Sequence, residues 1–553
     1  MTAAGPDLIL HNAAVYTVDP DRPWASAVAV ADGRVVAVGS DDEVLPLAKE
    51  RTVVRDLGGR MMMPGIVDGH SHLMLGGAAD YWELTIDPSD SLEKILDIVR
   101  AEAERLEPGT WIIGGIVGSL VMGEIKDASY LARLDDVSPE HPVLLRDDTQ
   151  HNRWVNSRTL DLMGVTADTP DPEGGFYVRD AEGQLTGVLW ELACRHAEEV
   201  AQSHMPDLAE RKAKSAQRAI EILNSFGITA TQEAATFRTA LAAFRDLDES
   251  GALNAWVVAS LPARDFVVDV GEVGDELFDV AEEYRTAHLR PDFIKGVVDG
   301  IPMSYTAAFL EPYAGDHHHH DLHYAGTTYF TMPELVRLLD NAHRRDLGVK
   351  LHALGDGSVR LILDAVEVVR DLRGPGLRAQ IAHVAFVHPD DLPRFAELGV
   401  VADLSPAVWW PNPITEAVRA VLDDERMDRI WPFRDLDETG ALLIAGSDWP
   451  CANPTPSPWL GIEAMVTRAD PTGSFPGELN REQGLDLETV LRIYTHNAAV
   501  SMGLGDEAGQ IAVGRSADLI VLDQNLFEIA PERIHRTQVD ETYFAGRQVY
   551  SRG

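Results

Sequence analysis

The stretch Met61-Met62-Met63-Pro64-Gly65-Ile66-Val67-Asp68-Gly69-His70-Ser71-His72 decides how this chain is read. It reads as a short buried strand whose apolar run ends where two histidines stand two residues apart. Alternate side chains of an extended chain share a face, so His70 and His72 point the same way. Two imidazoles aimed together from a strand end form half of a metal site. Alone, a His-x-His is equally an ordinary polar turn; residues later in the chain decide between the two.

Working outward from it, helix-like and strand-like segments alternate regularly after residue 208. Strands are expected at Ile228–Gln232, Asn254–Ala259, Phe293–Val298, Val349–His352, Gln380–His383, Val400–Leu404 and Leu442–Asp448. Each follows a helical stretch: Leu208–Phe226, Thr236–Glu249, Glu276–Ala287, Pro333–Asp346, Ser358–Leu372, Asp391–Leu398 and a region near 415–430. With the strand before His70 this makes eight βα units, an α/β chain whose fold is a (β/α)8 TIM barrel. Residues 8–58 and 518–550 are instead short alternating strands split by turns, and two such pieces pair into one β unit. The expected division is 1–60 with 510–553 for that unit and 61–509 for the barrel. Within the barrel, residues 75–205 form an insertion after strand 1 that covers the barrel mouth.

In such a barrel the functional side chains sit at the C-terminal ends of the strands. Those ends carry His70 and His72, Lys295, His352, His383 and Asp448. Taken singly, each is an ordinary core histidine, a capping acid or a snorkelling lysine; six metal-competent groups on one rim make a metal centre. Lys295 is one of only seven lysines and lies inside the apolar run Phe293-Ile294-Lys295-Gly296-Val297-Val298. Burial favours the neutral amine, which adds CO₂ to give a carbamate able to bridge two cations. The competing arrangement is an ion pair with a buried acid such as Asp299.

The bulk numbers exclude several classes. Of 553 residues, 45% are hydrophobic and 25% charged, ordinary for a globular protein, but the formal net charge is −42. That surface repels nucleic acid and anionic membranes, and no basic patch offsets it. No signal peptide or bilayer-spanning run is read, and Cys194 and Cys451 lack CxxC spacing, which points to a cytoplasmic protein without a disulfide framework.

Several motifs, in order, resemble the amidohydrolase superfamily, in the branch typified by N-substituted formamide deformylase. They are Pro64–His72, Trp154-Val155-Asn156-Ser157, Lys295–Gly300, His352-Ala353-Leu354-Gly355-Asp356, Ile381-Ala382-His383 and Gly446-Ser447-Asp448-Trp449-Pro450, with Thr495–Ala499 and Gly514–Leu519 in the tail. The likeness implies a barrel plus a composite β-sandwich built from both termini. It also implies zinc-dependent hydrolysis of a non-peptide amide (N-formyl, N-acyl, carbamate or cyclic amide) by a metal-activated hydroxide. Carried over, His70, His72 and Asp448 hold one Zn²⁺, His352 and His383 a second, carboxylated Lys295 bridges them, and a one-ion variant stays open. Asp448 is then the proton shuttle. His151 stands where the family's insertion usually carries a histidine, which implies a residue reaching the site; an ordinary turn histidine is the equal alternative. Tyr305, Trp409, Trp410 and Trp449 are candidate substrate-pocket walls, although Trp is often simply core, and Asp299 and Asp356 are candidates for orienting the imidazoles. The partner is a small-molecule amide, with no nucleic acid or membrane, and a homodimer is expected as among lookalikes. A decarboxylase or lyase on the same site, or a non-catalytic scaffold, are the rival readings. The chain departs from relatives at Ile301-Pro302-Met303-Ser304 and at the polar loop His317–His320, which puts substrate identity in question rather than reaction type.

Overall fold

The computed structural model describes residues 5–265, 267, 269–314, 323–405 and 408–553, so His317–His320 lie outside the described residues. Eight parallel strands follow one another around a single sheet in chain order: β1 Ile66–Ser71, β2 Ile228–Glu233, β3 Trp256–Pro262, β4 Leu289–Val297, β5 Gly348–Ala353, β6 Ala379–His383, β7 Val400–Leu404 and β8 Leu443–Ala445. All but a few of their residues are buried, as strands enclosed by crossover helices must be. The β8–β1 seam is not a regular ladder. It is stitched by the Asp448 N–H donating to the His70 carbonyl (2.8 Å) and the Ser447 N–H donating to Asp68 Oδ1 (2.9 Å). Gly446 is required there, because a Cβ would lie 2.3 Å from the His70 nitrogen.

The strand expected over Met61–His72 is two strands. Met61–Pro64 leaves the barrel and pairs antiparallel with Leu519–Leu522 and parallel with Ala14–Tyr16. The break falls at Gly65, where a Cβ would lie 2.1 Å from Thr229 Oγ1. Met61–Pro64 thus joins a six-stranded sheet containing Val539–Phe544 and Arg547–Ser551, next to a four-stranded sheet of N-terminal strands. Leu8, Leu10, Val28 and Val30 from the second sheet share one apolar cluster with Met62, Leu519, Val521 and Tyr543 from the first.

The barrel helices follow capping chemistry. Helix Met332–Arg344 begins at a capping box in which Thr331 and Glu334 satisfy each other's backbone N–H groups. The region near 415–430 differs from expectation. The helix leading into β8 is Phe433–Glu438, while Pro413–Arg419 and Asp424–Met427 belong to the excursion after β7. The insertion carries a six-stranded mixed sheet of its own, from Leu84–Thr85 to Leu185–Glu191. Its helix Ser119–Glu124 packs against Pro413–Arg419, so insertion and excursion meet. Among the described residues no helix is long and apolar enough to cross a membrane.

Candidate metal centre and active site

The six rim side chains converge. One donor atom each from His70, His72 and Asp448 fits within 4.8 Å of the others, and all three residues are buried. The Nε2 atoms of His70 and His72 lie 3.5 and 3.4 Å from Asp448 Oδ1. His383 stands at 5.1 Å from His70 and 4.4 Å from His352, ring centre to ring centre. Lys295 Nζ is 3.3 Å from His70 Nε2. Two of these residues sit on left-handed backbone, His383 at φ +78° and Asp448 at φ +55°. Non-glycine residues hold that conformation at a cost of order 1–3 kcal/mol each, and here it turns both side chains inward at the strand ends.

Partners behind the imidazoles set their tautomers. His70 Nδ1–H donates to Asp403 Oδ2 (2.8 Å) and His383 Nδ1–H to the Ser405 carbonyl (2.5 Å), which leaves each Nε2 lone pair available. Asp403 Oδ2 also accepts from Lys350 Nζ (2.5 Å), which donates to the Gly69 carbonyl as well (3.0 Å). Burial pushes the proton affinity of His70 and His383 far down, and neighbouring cations and imidazoles add to it, so both rings are neutral. Burial, then the Lys350 ammonium, bring Lys295 down to about 8. Burial raises Asp68 to about 7, although Ser447 donates to it twice.

Of the remaining expected residues, His151 reaches the site. It is buried, its ring centre lies 5.2 Å from that of His352, and its Nδ1–H donates to Glu191 Oε2 (2.8 Å). Burial disfavours its charged form, but Glu191 outweighs this and the net shift is upward. Asp299 does not orient an imidazole by hydrogen bond. Its carboxylate accepts from the N–H groups of Ala308, Leu354 and Gly355, while His352 Nε2 stays 3.9 Å away and faces the Gly300 carbonyl at 3.4 Å. Asp356 instead accepts from the Leu310 N–H. Tyr305, Trp409 and Trp449 are not brought to the cavity lining. Tyr305 packs on Tyr313 and Trp409 on Phe433, while the Trp449 ring fills the space where Gly76 lacks a Cβ. Trp410 joins a small cluster with Val408 and Ala464. The aromatic wall comes from Phe386 and Trp431, in a cavity that also exposes His72, Lys295, His352, His383, Asp448 and Cys451.

Asp403, Lys350, Ser405 and Glu191 escaped the sequence reading. Lys350 and Asp403 carry the signal that singled out Lys295, a charge inside an apolar strand; Glu191 and Ser405 carry none.

Residues 53–550 match the model of the amidohydrolase family. The chain is 28% identical to the N-substituted formamide deformylase of Arthrobacter pascens, over 99% of this chain and 98% of that protein. It is 26% identical to the putative amidohydrolase YtcJ of Bacillus subtilis, over 98% and 99%. Among solved structures, an uncharacterized metal-dependent hydrolase from Pyrococcus horikoshii OT3 aligns with 95% of this chain and 99% of its own, with a TM-score of 0.74 and 23% identity. That last likeness is one of fold.

Proposed function

Since the chain belongs to the amidohydrolase family, metal-dependent hydrolases of carbon–nitrogen bonds, we propose that it hydrolyses a non-peptide amide: an N-formyl, N-acyl, carbamate or cyclic amide. The observation that carries the reading is the buried His70–His72–Asp448 group at a cavity that also holds His352, His383 and Lys295. A divalent cation fits these donors. The Nδ1 atoms of His70 and His383 are fixed by Asp403 and the Ser405 carbonyl, and Asp448 Oδ1 is buried without a hydrogen bond of full geometry. When bound, such a cation acidifies water and polarises a carbonyl oxygen. We assign zinc, one or two ions: His70, His72 and Asp448 would hold one and His352 and His383 a second, with Lys295, once carboxylated, as a ligand they would share.

The protein's own groups then have defined tasks. Asp448 takes the proton of the attacking water and returns it to the departing nitrogen. Asp403 and Ser405 hold the ring orientations of His70 and His383. His151, braced by Glu191, meets the substrate from the insertion side. Apolar walls exclude competing water. The same reading takes the two terminal sheets as one composite β-sandwich, and the protein as a cytoplasmic homodimer with Cys194 and Cys451 reduced.

The test is removal of metal by chelation and reloading with zinc, cobalt or manganese, followed by assay of formamides, acylated amines, carbamates and lactams. Metal-replete protein is expected to release amine and acid in equal amounts, with activity lost on chelation and restored on reloading. Release of CO₂ from a carboxylic acid without acid–amine stoichiometry would replace hydrolysis by a lyase step. Absence of metal and of turnover would leave a scaffold.

A further inference from the structure

The cavity at the metal centre does not end at the reacting groups. A second cavity lies on the far side of His151, Val267 and Lys295, and those three residues line both. The two lobes differ in chemistry. The first is walled by Leu354, Phe386, Val408, Val418, Ile430 and Trp431, all apolar. The second is also largely apolar, through residues such as Leu192, Val273 and Phe330, but adds the polar groups of Glu173, Arg264 and Thr328. Within it the buried Tyr329 hydroxyl lies beside Glu191 and Thr306 but meets hydrogen-bond geometry with neither. Thr306 Oγ1, by contrast, is committed to Glu191 (2.8 Å).

From this geometry we infer that the substrate carries a substituent on both sides of the scissile C–N bond, one apolar and one bearing hydrogen-bonding groups. The inference rests on the amide-hydrolase reading and narrows it. An amide is planar at the reacting carbon, and its acyl and amine halves leave that carbon in roughly opposite directions. A site for a formamide needs room on one side only, because the acyl half is a hydrogen atom. Here His151, which would meet the substrate, and Lys295, which would help hold the ions, line both lobes, while His72, His352, His383 and Asp448 line the first beside them. The apolar lobe gains from burying hydrocarbon. The polar lobe offers Tyr329 as donor and Glu173 and Arg264 near its opening, so it rewards a half with a carbonyl, hydroxyl or amide group. The substrate class is therefore an N-acylated amine substituted at both ends, cleaved by water to a carboxylic acid and an amine.

The experiment compares the N-formyl, N-acetyl and longer polar N-acyl derivatives of the same apolar amine, and the mirror series with an apolar acyl group on a polar amine, using metal-replete full-length protein. In one of the two series kcat/KM is expected to rise at least tenfold from the one-sided to the two-sided compound. Thr328→Trp, at an exposed position lining the polar lobe, is expected to cut that ratio at least fivefold with an unchanged melting temperature. Thr328→Leu serves as a milder block should the larger side chain disturb folding. Tyr329→Phe is expected to raise KM for the two-sided compound with little change in kcat. Formamides cleaved as well as or better than both two-sided series, with ratios unmoved by the variants, would overturn the two-lobed substrate and leave amide hydrolysis standing. No cleavage of any amide in either series would remove the hydrolase reading itself, and the inference with it.

Discussion

Asp403 is the residue on which the interior of the site turns. One carboxylate oxygen accepts from the His70 imidazole and the Lys350 ammonium, and all three side chains are essentially out of solvent. Removing one partner of a buried pair typically costs about 3–5 kcal/mol, because the remaining charge stays buried. Asp403→Asn is expected to lose that much in urea unfolding and to weaken metal binding about 10–100-fold through the freed His70 ring. The double variant Lys350→Met, Asp403→Leu separates the two roles. It is expected to recover most of the stability, since no charge is stranded, while metal affinity stays low; recovery of both would refute the orienting role. The same residues show where sequence reading stops. Lys295 and Lys350 carry one signal, a lysine in an apolar strand, but nothing local says which acid answers which lysine. Inward side chains of alternate strands share layers of the barrel, so Asp403 on β7 meets Lys350 on β5 and His70 on β1 across the interior, at sequence separations of 53 and 333. Spacing along the chain carries no trace of that.

At the scale of elements, periodicity located the barrel strands to within a few residues, because each is a buried run bounded by helix signals. It misplaced the helices of the excursion after β7. Pro413–Arg419 has the spacing of a barrel helix, yet it lines the cavity through Ile414, Thr415 and Val418; a short amphipathic helix does not announce whether its apolar face meets the sheet or a pocket. Trp409 and Trp449 are aromatic residues near strand ends whose rings went to packing, a choice made by neighbours such as Phe433 and Gly76. The insertion positions His151 through buried charge. Glu198 accepts from Arg146 and Arg153, and Arg153 donates on to the carbonyls of Gln150 and Asn152, which flank His151. Burial alone would raise the Glu198 carboxyl, but the two guanidinium groups outweigh it and the net shift is downward. A carboxyl lowered on folding stabilises the native state above its unfolded value, about 4.3 for Glu, and that contribution fades as pH falls through the lower folded value. Glu198→Gln is expected to cost about 3–5 kcal/mol at neutral pH, with the gap to wild type narrowing only below about pH 4. Because the loop at His151 hangs on Arg153, kcat is expected to fall as well. A variant as stable as wild type at pH 7 would show that the arginines find other acceptors.

For the whole molecule, the two ends of the chain are tied into the barrel rather than hung from it. The Trp256 indole of β3 donates to Asp518 (2.9 Å), and the Phe544 ring packs on Trp256 and His288. The net charge acts over the same scale. A net charge of −42 makes the long-range field of the molecule negative, which favours approach of divalent cations and opposes approach of anions. Such long-range effects fall away once the Debye length shrinks to about 8 Å at physiological ionic strength. The consequence for substrate capture is testable with paired amides that differ by a single carboxylate placed away from the scissile bond. For the anionic member, kcat/KM is expected to rise several-fold between about 10 mM and 200 mM NaCl as repulsion is screened, while the neutral member changes little. A carboxylate-bearing substrate that is instead captured faster at low salt would mean that a local cation, Arg264 at the polar lobe being the nearest candidate on its wall, overrides the field of the whole surface. The salt dependence therefore separates a site that accepts acids despite its surroundings from one that selects neutral amides because of them.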